Sequence, residues 1–335
     1  MVLVTGGTGL VGAHLLLYLV QNNTPVRAIY RQGSNLERVE KVFSYYTLNA
    51  SDLFNKIEWL LADINDIPAL EIAFKNVEYV YHAAALISFD PNNYRKLKKI
   101  NTLGTANIVN LCLAYNIKKL CYVSTIGAIG KSVHGIKATE ENEWTGQKAN
   151  VYGLTKHRAE MEVWRASQEG LPVVIVNPGI IIGPGFWDSG SGRLFTSANK
   201  ENNFYPPGGS GFISVSDVIK MMTSLMNSEV TNKRFIAVAE NFTYRNILTR
   251  LSTELGKKAP TKELKLWQLE LGRVFDYLKN LFTRSGRKIT KKTIYSLMFH
   301  EIYDNQSIIS TLGFDFETLD EVIAFSCSKF KEENP

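Results

Sequence analysis

A chain of 335 residues, 45% hydrophobic and 21% charged, has enough apolar material for a large buried core. The apolar run at residues 15–20 is far shorter than the roughly 20 residues of a membrane span, so we expect no membrane partner. Three cysteines, Cys112, Cys121 and Cys327, lie in apolar or helical contexts, which favours buried thiols in a reducing, cytoplasmic compartment.

Positive charge is concentrated in the C-terminal half of the chain. The formal charge is +6, and basic residues recur from Lys257 to Lys292. Neither an aromatic platform for stacking bases nor a recognised nucleic-acid-binding motif accompanies them, so we expect no nucleic-acid partner. A solvated helical face and loop is favoured, and the alternative is that these residues bind an anionic substrate group, such as a phosphate.

Strand and helix patterns alternate through the first half of the chain. Short apolar strands separated by helices indicate a parallel sheet with helices on both faces, the doubly wound α/β (Rossmann) fold. The predicted strands are 1–5, 25–30, 57–61, 77–81, 118–124 and 172–177, and the predicted helices lie near 10–22, 66–74, 94–115 and 151–169.

The pattern changes after about residue 178, where glycine and proline cluster and helical segments follow. We therefore predict a dinucleotide-binding domain over 1–178, with a return strand near 234–238, and a smaller, mainly helical substrate lobe over 179–330. The helices predicted in this lobe lie near 216–227, 244–255 and 262–282.

A glycine-rich turn follows the first predicted strand. Gly6, Gly9 and Gly12 have the spacing G-x-x-G-x-x-G and lead into an apolar helix. Such glycines let the backbone approach a pyrophosphate, which then rests on amides at the helix N-terminus. An ordinary strand-to-helix turn is the alternative. The candidate dinucleotide-binding residues of this turn are Gly6, Thr8, Gly9, Leu10, Val11 and Gly12.

Two later motifs favour the dinucleotide site. Tyr152 and Lys156 are separated by four residues, which places both side chains on one face of a predicted helix. A nearby ammonium favours a phenolate and thus lowers the pKa of a tyrosine. The hydroxyl pair Ser124-Thr125 ends a predicted strand, and ligands of open parallel sheets bind beyond such strand ends. The pair could alternatively cap the next turn.

Together these motifs resemble the extended short-chain dehydrogenase/reductase superfamily. Within it, the chain resembles the NAD(P)-dependent epimerase/dehydratase family and its dihydroflavonol-reductase-like branch. The resemblance covers most of the chain. Besides the motifs above, it includes the segments His82–Ala84, Asn101–Thr105, Tyr122–Gly130, Pro178–Gly185 and Gly211–Val218.

The resemblance implies roles for single residues. Thr125 would be the catalytic hydroxyl, with Ser124 as the neighbouring alternative. Tyr152 would be the general acid/base. Lys156 would hold the nicotinamide ribose and lower the pKa of the tyrosine. Asn101 would support the site near the nicotinamide.

The resemblance also implies further cofactor contacts. Many members of the family carry arginine where this chain has Asn177, so no specific contact is assigned there. The implied contacts are the loop residues Ala83, Ala84 and Ala85, the pair Pro178 and Gly179, and Asp63 and Ile64 beside the adenine.

The end of the second predicted strand bears on the choice of nicotinamide. It carries Tyr30-Arg31 in place of the acidic residue that would accept bonds from the ribose hydroxyls. Arg31 can bind a 2′-phosphate, and Arg38 lies near enough in sequence to assist. We therefore expect NADP, with NAD as the alternative, and no metal ion.

Three function classes follow from these motifs. The first is NADP(H)-dependent reduction of a ketone or aldehyde, with a small-molecule carbonyl substrate. The second is a nucleotide-sugar epimerase or dehydratase that retains its NAD(P). The third is a non-catalytic dinucleotide-binding regulatory protein. The resemblance also implies a homodimer formed through the helices that begin near residues 101 and 151.

Overall fold

The computed structural model describes residues 1–132, 135–283 and 286–334. Its first half alternates strands and helices, as the sequence predicts. In chain order the elements are β1 (Val2–Thr5), α1 (Leu10–Gln21), β2 (Val26–Tyr30), α2 (Glu37–Ser44), α3 (Ala50–Phe54), β3 (Glu58–Leu61), α4 (Ile67–Phe74), β4 (Tyr79–His82), α5 (Tyr94–Leu97), α6 (Gly104–Ala114), β5 (Lys119–Val123), α7 (Val151–Gln168) and β6 (Val173–Pro178).

The second half contains shorter strands and more helices. In chain order these are β7 (Ile180–Ile182), α8 (Arg193–Asn199), β8 (Phe204–Tyr205), β9 (Gly209–Ser214), α9 (Val215–Asn227), β10 (Lys233–Ala237), β11 (Glu240–Thr243), α10 (Tyr244–Glu254), β12 (Lys262–Glu263), α11 (Leu266–Thr283), α12 (Lys291–Met298), α13 (Gln306–Leu312) and α14 (Leu319–Glu333).

The central sheet has seven strands in the order β10-β6-β5-β4-β1-β2-β3, and every pairing in it is parallel. Alternate residues of a strand face opposite sides of a sheet. In β1, Val2 and Val4 therefore pack into the core on one face, and Leu3 packs into the core on the other. The predicted Rossmann fold is confirmed, and the return strand predicted near 234–238 is β10, which pairs with β6.

The strand order reverses between β1 and β4. The chain runs outward from β1 through β2 to β3, then returns to build β4, β5 and β6 on the other side. The carboxyl ends of β1 and β4 thus flank a crevice of the kind where doubly wound sheets bind dinucleotides. The glycine turn that follows β1 lies at this position.

The mainly helical lobe is built around a small sheet in the order β11-β9-β7. Strand β9 pairs with β7 in parallel and with β11 antiparallel. Aromatic side chains of α8, β9 and α14, including Phe195, Phe212 and Phe330, form its core. The smaller helical lobe is confirmed as part of the fold, whereas the boundary at residue 178 stays a prediction.

Two predicted helices differ in detail from the structure. The segment 94–115 is interrupted between α5 and α6 by a π-helical turn, Lys98–Leu103. The segment 262–282 begins with β12, which pairs with β8, because the amide of Lys262 donates to Asn203 O at 2.9 Å. Helices α2, α3, α8, α12, α13 and α14 were not predicted. Among the helices of the described residues, none is long and apolar enough to cross a membrane.

Candidate active site

The turn between β1 and α1 requires glycine at two positions. Gly6 has φ +76°, and a Cβ there would lie 2.6 Å from the carbonyl carbon of Ala83. A Cβ on Gly12 would overlap the carbonyl oxygen of Gly6. The turn is therefore compact, and the loop after β4 packs directly against it, with the amide of Ala84 donating to Thr5 Oγ1 at 3.3 Å.

The start of α1 can accept an anion. Gly9 is the residue before the helix and offers no side-chain cap. The amides of the first turn, from Leu10 to Gly12, have no helical acceptor of their own. Together with the half-buried Thr8, these groups fit a pyrophosphate. The residues present at this crevice therefore fit a dinucleotide cofactor.

The predicted adenine and ribose contacts surround the ends of β2 and β3. Arg31 is exposed, and its amide donates to Ser34 Oγ at 3.2 Å, which brings that hydroxyl beside it. Arg38 forms an ion pair with Asp188 at 2.6 Å. Sequence analysis missed Ser34 and Asp188, although the short loop after Arg31 is a signal for the serine.

Asp63 and Ile64 both lie beyond β3. Asp63 Oδ1 accepts a bond from the amide of Asn65 at 2.8 Å. Ile64 is buried, and its side chain fills the space that a Cβ on Gly104 would need. The carbonyl of Ile64 also accepts a bond from Asn107 Nδ2 at 3.0 Å. Ile64 thus fixes the start of α6 against the sheet, whatever its role toward adenine.

The two hydroxyls after β5 have different surroundings. Ser124 is buried, and its Oγ donates to Glu160 Oε2 at 2.6 Å. Thr125 is half-buried and caps the following 3₁₀ turn, Ile126–Ala128, by accepting a bond from the amide of Gly127 at 3.2 Å. Because the Ser124 hydroxyl is engaged with a carboxylate in the core, Thr125 stays our first candidate for the catalytic hydroxyl and Ser124 the alternative.

Tyr152 is brought toward Thr125 by backbone packing. Asn150 caps α7 by accepting a bond from the amide of Gly153 at 2.8 Å. A Cβ on Gly153 would lie 3.0 Å from the carbonyl oxygen of Gly127, two residues after Thr125. The first turn of α7 therefore rests on the turn after β5, and the candidate acid/base and hydroxyl share one end of the sheet.

Lys156 lies one helical turn after Tyr152 and is only 1% exposed. Its Nζ donates to Tyr122 Oη at 2.6 Å and to the carbonyl of Val123 at 2.7 Å. Burial lowers the pKa of Lys156 to about 7, and the Glu160 carboxylate opposes that shift. Burial also raises the pKa of Tyr152. The expected lowering of the tyrosine pKa is absent from the protein alone, because burial dominates and the lysine bonds elsewhere.

A buried polar chain continues behind Lys156. The His82 ring stacks on Tyr122 with centroids 5.4 Å apart. Its Nδ1 bonds to Thr5 Oγ1 at 2.6 Å and its Nε2 to Thr105 Oγ1 at 2.8 Å. Burial lowers the pKa of His82 to about 3, so the ring is neutral at physiological pH. His82 thus ties the ends of β1 and β4 to the tyrosine that holds Lys156.

Asn101 lies in the π-helical turn and is 1% exposed. Its Oδ1 accepts a bond from the amide of Leu86 at 2.8 Å, and its Nδ2 donates to Leu86 O at 3.0 Å and Thr155 Oγ1 at 3.1 Å. It therefore clamps the loop after β4, including Ala85, to α7. Such π-helical turns are rare, and those that occur are frequently found at functional sites.

A buried ionic cluster that sequence analysis missed lies under the site. Glu160 is fully buried and accepts bonds from Ser124, from Asn177 Nδ2 at 2.9 Å and from Arg234 Nη1 at 3.1 Å. Arg234 comes from β10, where its backbone pairs with Ile175 of β6. One signal was available, since Glu160 follows Lys156 by four residues and therefore shares its helix face.

The segment after β6 is fixed by close backbone contacts. The amide of Gly179 donates to Ala237 O at 3.0 Å, and a Cβ on Gly179 would overlap the carbonyl oxygen of Gly211. Pro178 and Gly179 thus lie at the carboxyl end of β6, the strand next to β5, where the chain passes into the small sheet. This edge also carries Thr125.

Comparisons with known proteins agree with this geometry. The family model of the NAD dependent epimerase/dehydratase family matches residues 2–238. A Synechocystis protein named "Putative dihydroflavonol 4-reductase" is 30% identical over 277 residues, covering 79% of this chain and 75% of its own length. "Sterol demethylase protein B" of Methylococcus capsulatus is 28% identical over 265 residues, covering 77% and 75%.

A solved structure shares the whole fold. The crystal structure of gox2253 superposes with a TM-score of 0.83 at 22% identity, covering 99% of this chain and 98% of its own. At that identity the likeness shows the fold alone, whereas the family model spans well over half of the chain. The chain therefore belongs to the NAD-dependent epimerase/dehydratase family, and it is an NAD(P)-dependent enzyme of the extended short-chain dehydrogenase/reductase type.

Proposed function

We propose that this protein is an NADP(H)-dependent reductase that converts a ketone or aldehyde into an alcohol. The observation that carries the proposal is the packing of α7 on the turn after β5, which brings Tyr152 and Thr125 to one strand end. Family membership already disfavours the non-catalytic alternative.

The roles of the side chains follow from their surroundings. The bound dinucleotide would supply the hydride for the carbonyl carbon. Thr125 would hold the carbonyl oxygen, and Tyr152 would donate the proton that this oxygen needs. Because burial raises the pKa of Tyr152, the phenol carries its proton at neutral pH, which suits reduction. Lys156 would support the transfer by offering positive charge beside the tyrosine.

The end of β2 supports the choice of NADP. No acidic side chain stands at Tyr30-Arg31 to repel a 2′-phosphate. The exposed guanidinium of Arg31 and the hydroxyl of Ser34 can both bind phosphate oxygens. Arg38 is already paired with Asp188, so we assign it a secondary part.

Substrate class is suggested by the wall next to Tyr152. The Phe89 ring meets the Tyr152 ring edge-on with centroids 6.0 Å apart. The relatives described above are named for a dihydroflavonol and a sterol, both of which present oxygen on a largely apolar ring system. We propose a substrate of this kind, in which an apolar ring packs against Phe89.

The catalytic assignment is tested by three variants. Tyr152→Phe should abolish carbonyl reduction while leaving dinucleotide affinity nearly unchanged. Thr125→Ala should lower kcat by roughly 10²-fold, whereas Ser124→Ala should leave a folded protein with most of its activity. Equal losses from the two hydroxyl variants would contradict the role given to Thr125.

The cofactor assignment and the epimerase alternative are tested together. Denaturation of the purified protein should release little bound nucleotide, and NADPH should bind more tightly than NADH on re-addition. Arg31→Asp should weaken NADPH much more than NADH. Release of near-stoichiometric NAD(P) would instead favour an epimerase or dehydratase that recycles a retained cofactor.

A further inference from the structure

Helix α11 presents its polar side to the protein and its apolar side outward. Leu269 is its one buried apolar residue among those described. The inner side carries Asp276, whose Oδ2 accepts bonds from the amides of Lys288 at 2.9 Å and Ile289 at 3.0 Å. It also carries Asn280, whose Oδ1 accepts a bond from the amide of Gly286 at 3.0 Å. Polar groups thus hold this helix to the protein, in the reverse of the usual arrangement.

The outward face of α11 is continuous and aromatic-rich. At about 100° per residue, all of its exposed apolar residues fall within half of the helix circumference. Their exposed area is on the order of 1,000 Å², above the few hundred Å² of the largest patch on a typical monomer. The residues of this face, each 43–83% exposed, are Leu266, Trp267, Leu271, Val274, Phe275, Tyr277, Leu278, Leu281 and Phe282.

The surroundings of this face are strongly basic. Residues 257–292 contain eleven Lys and Arg against three Asp and Glu, a net charge of +8, while the whole chain has +6. Of the three acidic residues, Glu270 is paired with Arg273 at 2.6 Å, and Asp276 is occupied by backbone amides. Arg284 lies outside the described residues. Among the other exposed cations, Lys265 directly precedes α11, and Lys279 lies about 40° beyond the edge of the apolar face.

From this combination we infer that α11 is a docking helix for an anionic membrane surface. An apolar half-cylinder containing Trp, Tyr and Phe, bordered by Lys and Arg, is typical of helices that lie in the interface of a bilayer. Acidic lipid headgroups complement the flanking charge. A second copy of this chain is a poor occupant, because it would bring two segments of net charge +8 together. This inference revises the sequence-based expectation of no membrane partner.

The docking helix lies close to the candidate active site. Asn280, near its C-terminal end, binds Gly286, and a Cβ on Gly286 would lie 2.9 Å from Asp90 Oδ2. Asp90 directly follows Phe89, whose ring contacts Tyr152. A protein docked through α11 would therefore hold this loop, and the entrance to the site beside it, near the membrane.

Vesicle flotation of the purified full-length protein tests the inference without any assay of catalysis. Vesicles of phosphatidylcholine with about 30 mol% phosphatidylglycerol are compared with vesicles of phosphatidylcholine alone. The protein should float with the anionic vesicles at about 0.1 M salt and be released at about 0.5 M. Flotation with neither kind of vesicle would overturn the inference.

Matched variants assign the binding to α11. Phe275→Gln with Leu281→Gln should weaken binding at least tenfold, whereas Leu48→Gln with Ile72→Gln, which changes two exposed apolar residues elsewhere, should not. All four side chains are exposed, so the variants should fold, and dinucleotide binding confirms that they do. Equal losses in the two double variants would contradict a role for this helix.

A second pair of double variants tests whether binding requires the positive charge around α11. Lys265→Glu with Lys279→Glu should weaken binding to anionic vesicles at least tenfold, while Lys75→Glu with Lys200→Glu serves as the exposed control. The protein could instead fail to bind vesicles but self-associate or bind an acidic protein. If Phe275→Gln abolishes that association, the face binds a protein partner and the membrane assignment is wrong.

Discussion

Replacing Tyr122 with phenylalanine should show how the protein controls the charge of Lys156. The variant removes one of the two acceptors of Lys156 Nζ, the hydroxyl at 2.6 Å, and leaves the Val123 carbonyl at 2.7 Å. The ring keeps its stack on His82. A charge-assisted hydrogen bond contributes about 1.5–3 kcal/mol. The pKa of Lys156, already lowered by burial to about 7, should therefore fall by a further one to two units, roughly.

The pH dependence of NADPH affinity measures this change. Lys156 carries its positive charge below its pKa, so an interaction of the ammonium with the dinucleotide is lost as pH rises through that value. A plot of log Kd against pH should begin to rise near pH 7 in the native protein, at the pKa that Lys156 has when no dinucleotide is bound. In Tyr122→Phe the pH at which log Kd begins to rise should be lower by about one to two units.

The matched control is Tyr81→Phe. Tyr81 is also buried, at 3% exposure, and lies on β4 with its side chain in the core on the opposite face of the sheet from Tyr122. Both variants lose one buried hydroxyl, but only one touches Lys156. If log Kd begins to rise at the same pH in Tyr122→Phe as in the native protein, the reasoning is refuted. It is also refuted if the rise moves by the same amount in Tyr81→Phe.

Two further predictions concern the glycine turn and a buried carboxyl. Gly9→Ala should fold normally, since its Cβ would meet nothing closer than 3.5 Å, but it should weaken dinucleotide binding. Gly12→Ala should weaken binding and also lower the urea concentration at the unfolding midpoint, because its Cβ would overlap Gly6 O. Equal urea midpoints in the two variants would contradict this. Asp217 is buried and its pKa is raised to about 6, so its contribution to stability is fully present below about pH 4 and lost as pH rises through 6. Asp217→Asn should thus stabilise the protein by up to about 3 kcal/mol at pH 8 and by little at pH 4, and equal urea shifts at the two pH values would show that ionisation is irrelevant.

The sheet could be predicted because its strands carry their own signal. Strands buried on both faces are continuous apolar runs, and in the first half of this chain helices of recognisable period separate one strand from the next. The π-helical turn at residues 98–103 could not be predicted, because the hydrogen bonds of Asn101 to Leu86 and Thr155 form only after folding. The small sheet escaped prediction because β7 and the start of β9 lie in the segments 179–192 and 206–211, where glycine and proline cluster.

The candidate site divides in the same way. Gly6, Tyr152 and Lys156 were predicted from local motifs, since the chemistry of each depends on near neighbours in the chain. The dipeptide itself does not say which hydroxyl enters the core, so only the family resemblance favoured Thr125 over Ser124. The structure separates them through Glu160, which takes the bond from Ser124 Oγ at 2.6 Å.

The outward face of α11 escaped sequence analysis for a related reason. Its apolar residues recur at helical spacing, and such a stripe normally predicts the side that packs into the core. Here Asp276 and Asn280 take the inner side, because the amides of residues 286–289 need acceptors where the chain turns back. Amphipathicity fixes the two faces of a helix but not which one meets the protein.

The electrostatics of the site depend on residues far apart in the chain. Lys156 and Glu160 lie one turn apart on α7, while Arg234 reaches the same carboxylate from β10. A buried carboxylate without partners is strongly disfavoured, and the hydrogen bonds that Glu160 accepts from Ser124, Asn177 and Arg234 together offset the cost of its burial. Its charge in turn raises the pKa of Lys156 against the effect of burial. The parallel pairing of β10 with β6 therefore helps to set the protonation state of a lysine that local sequence alone identifies as important.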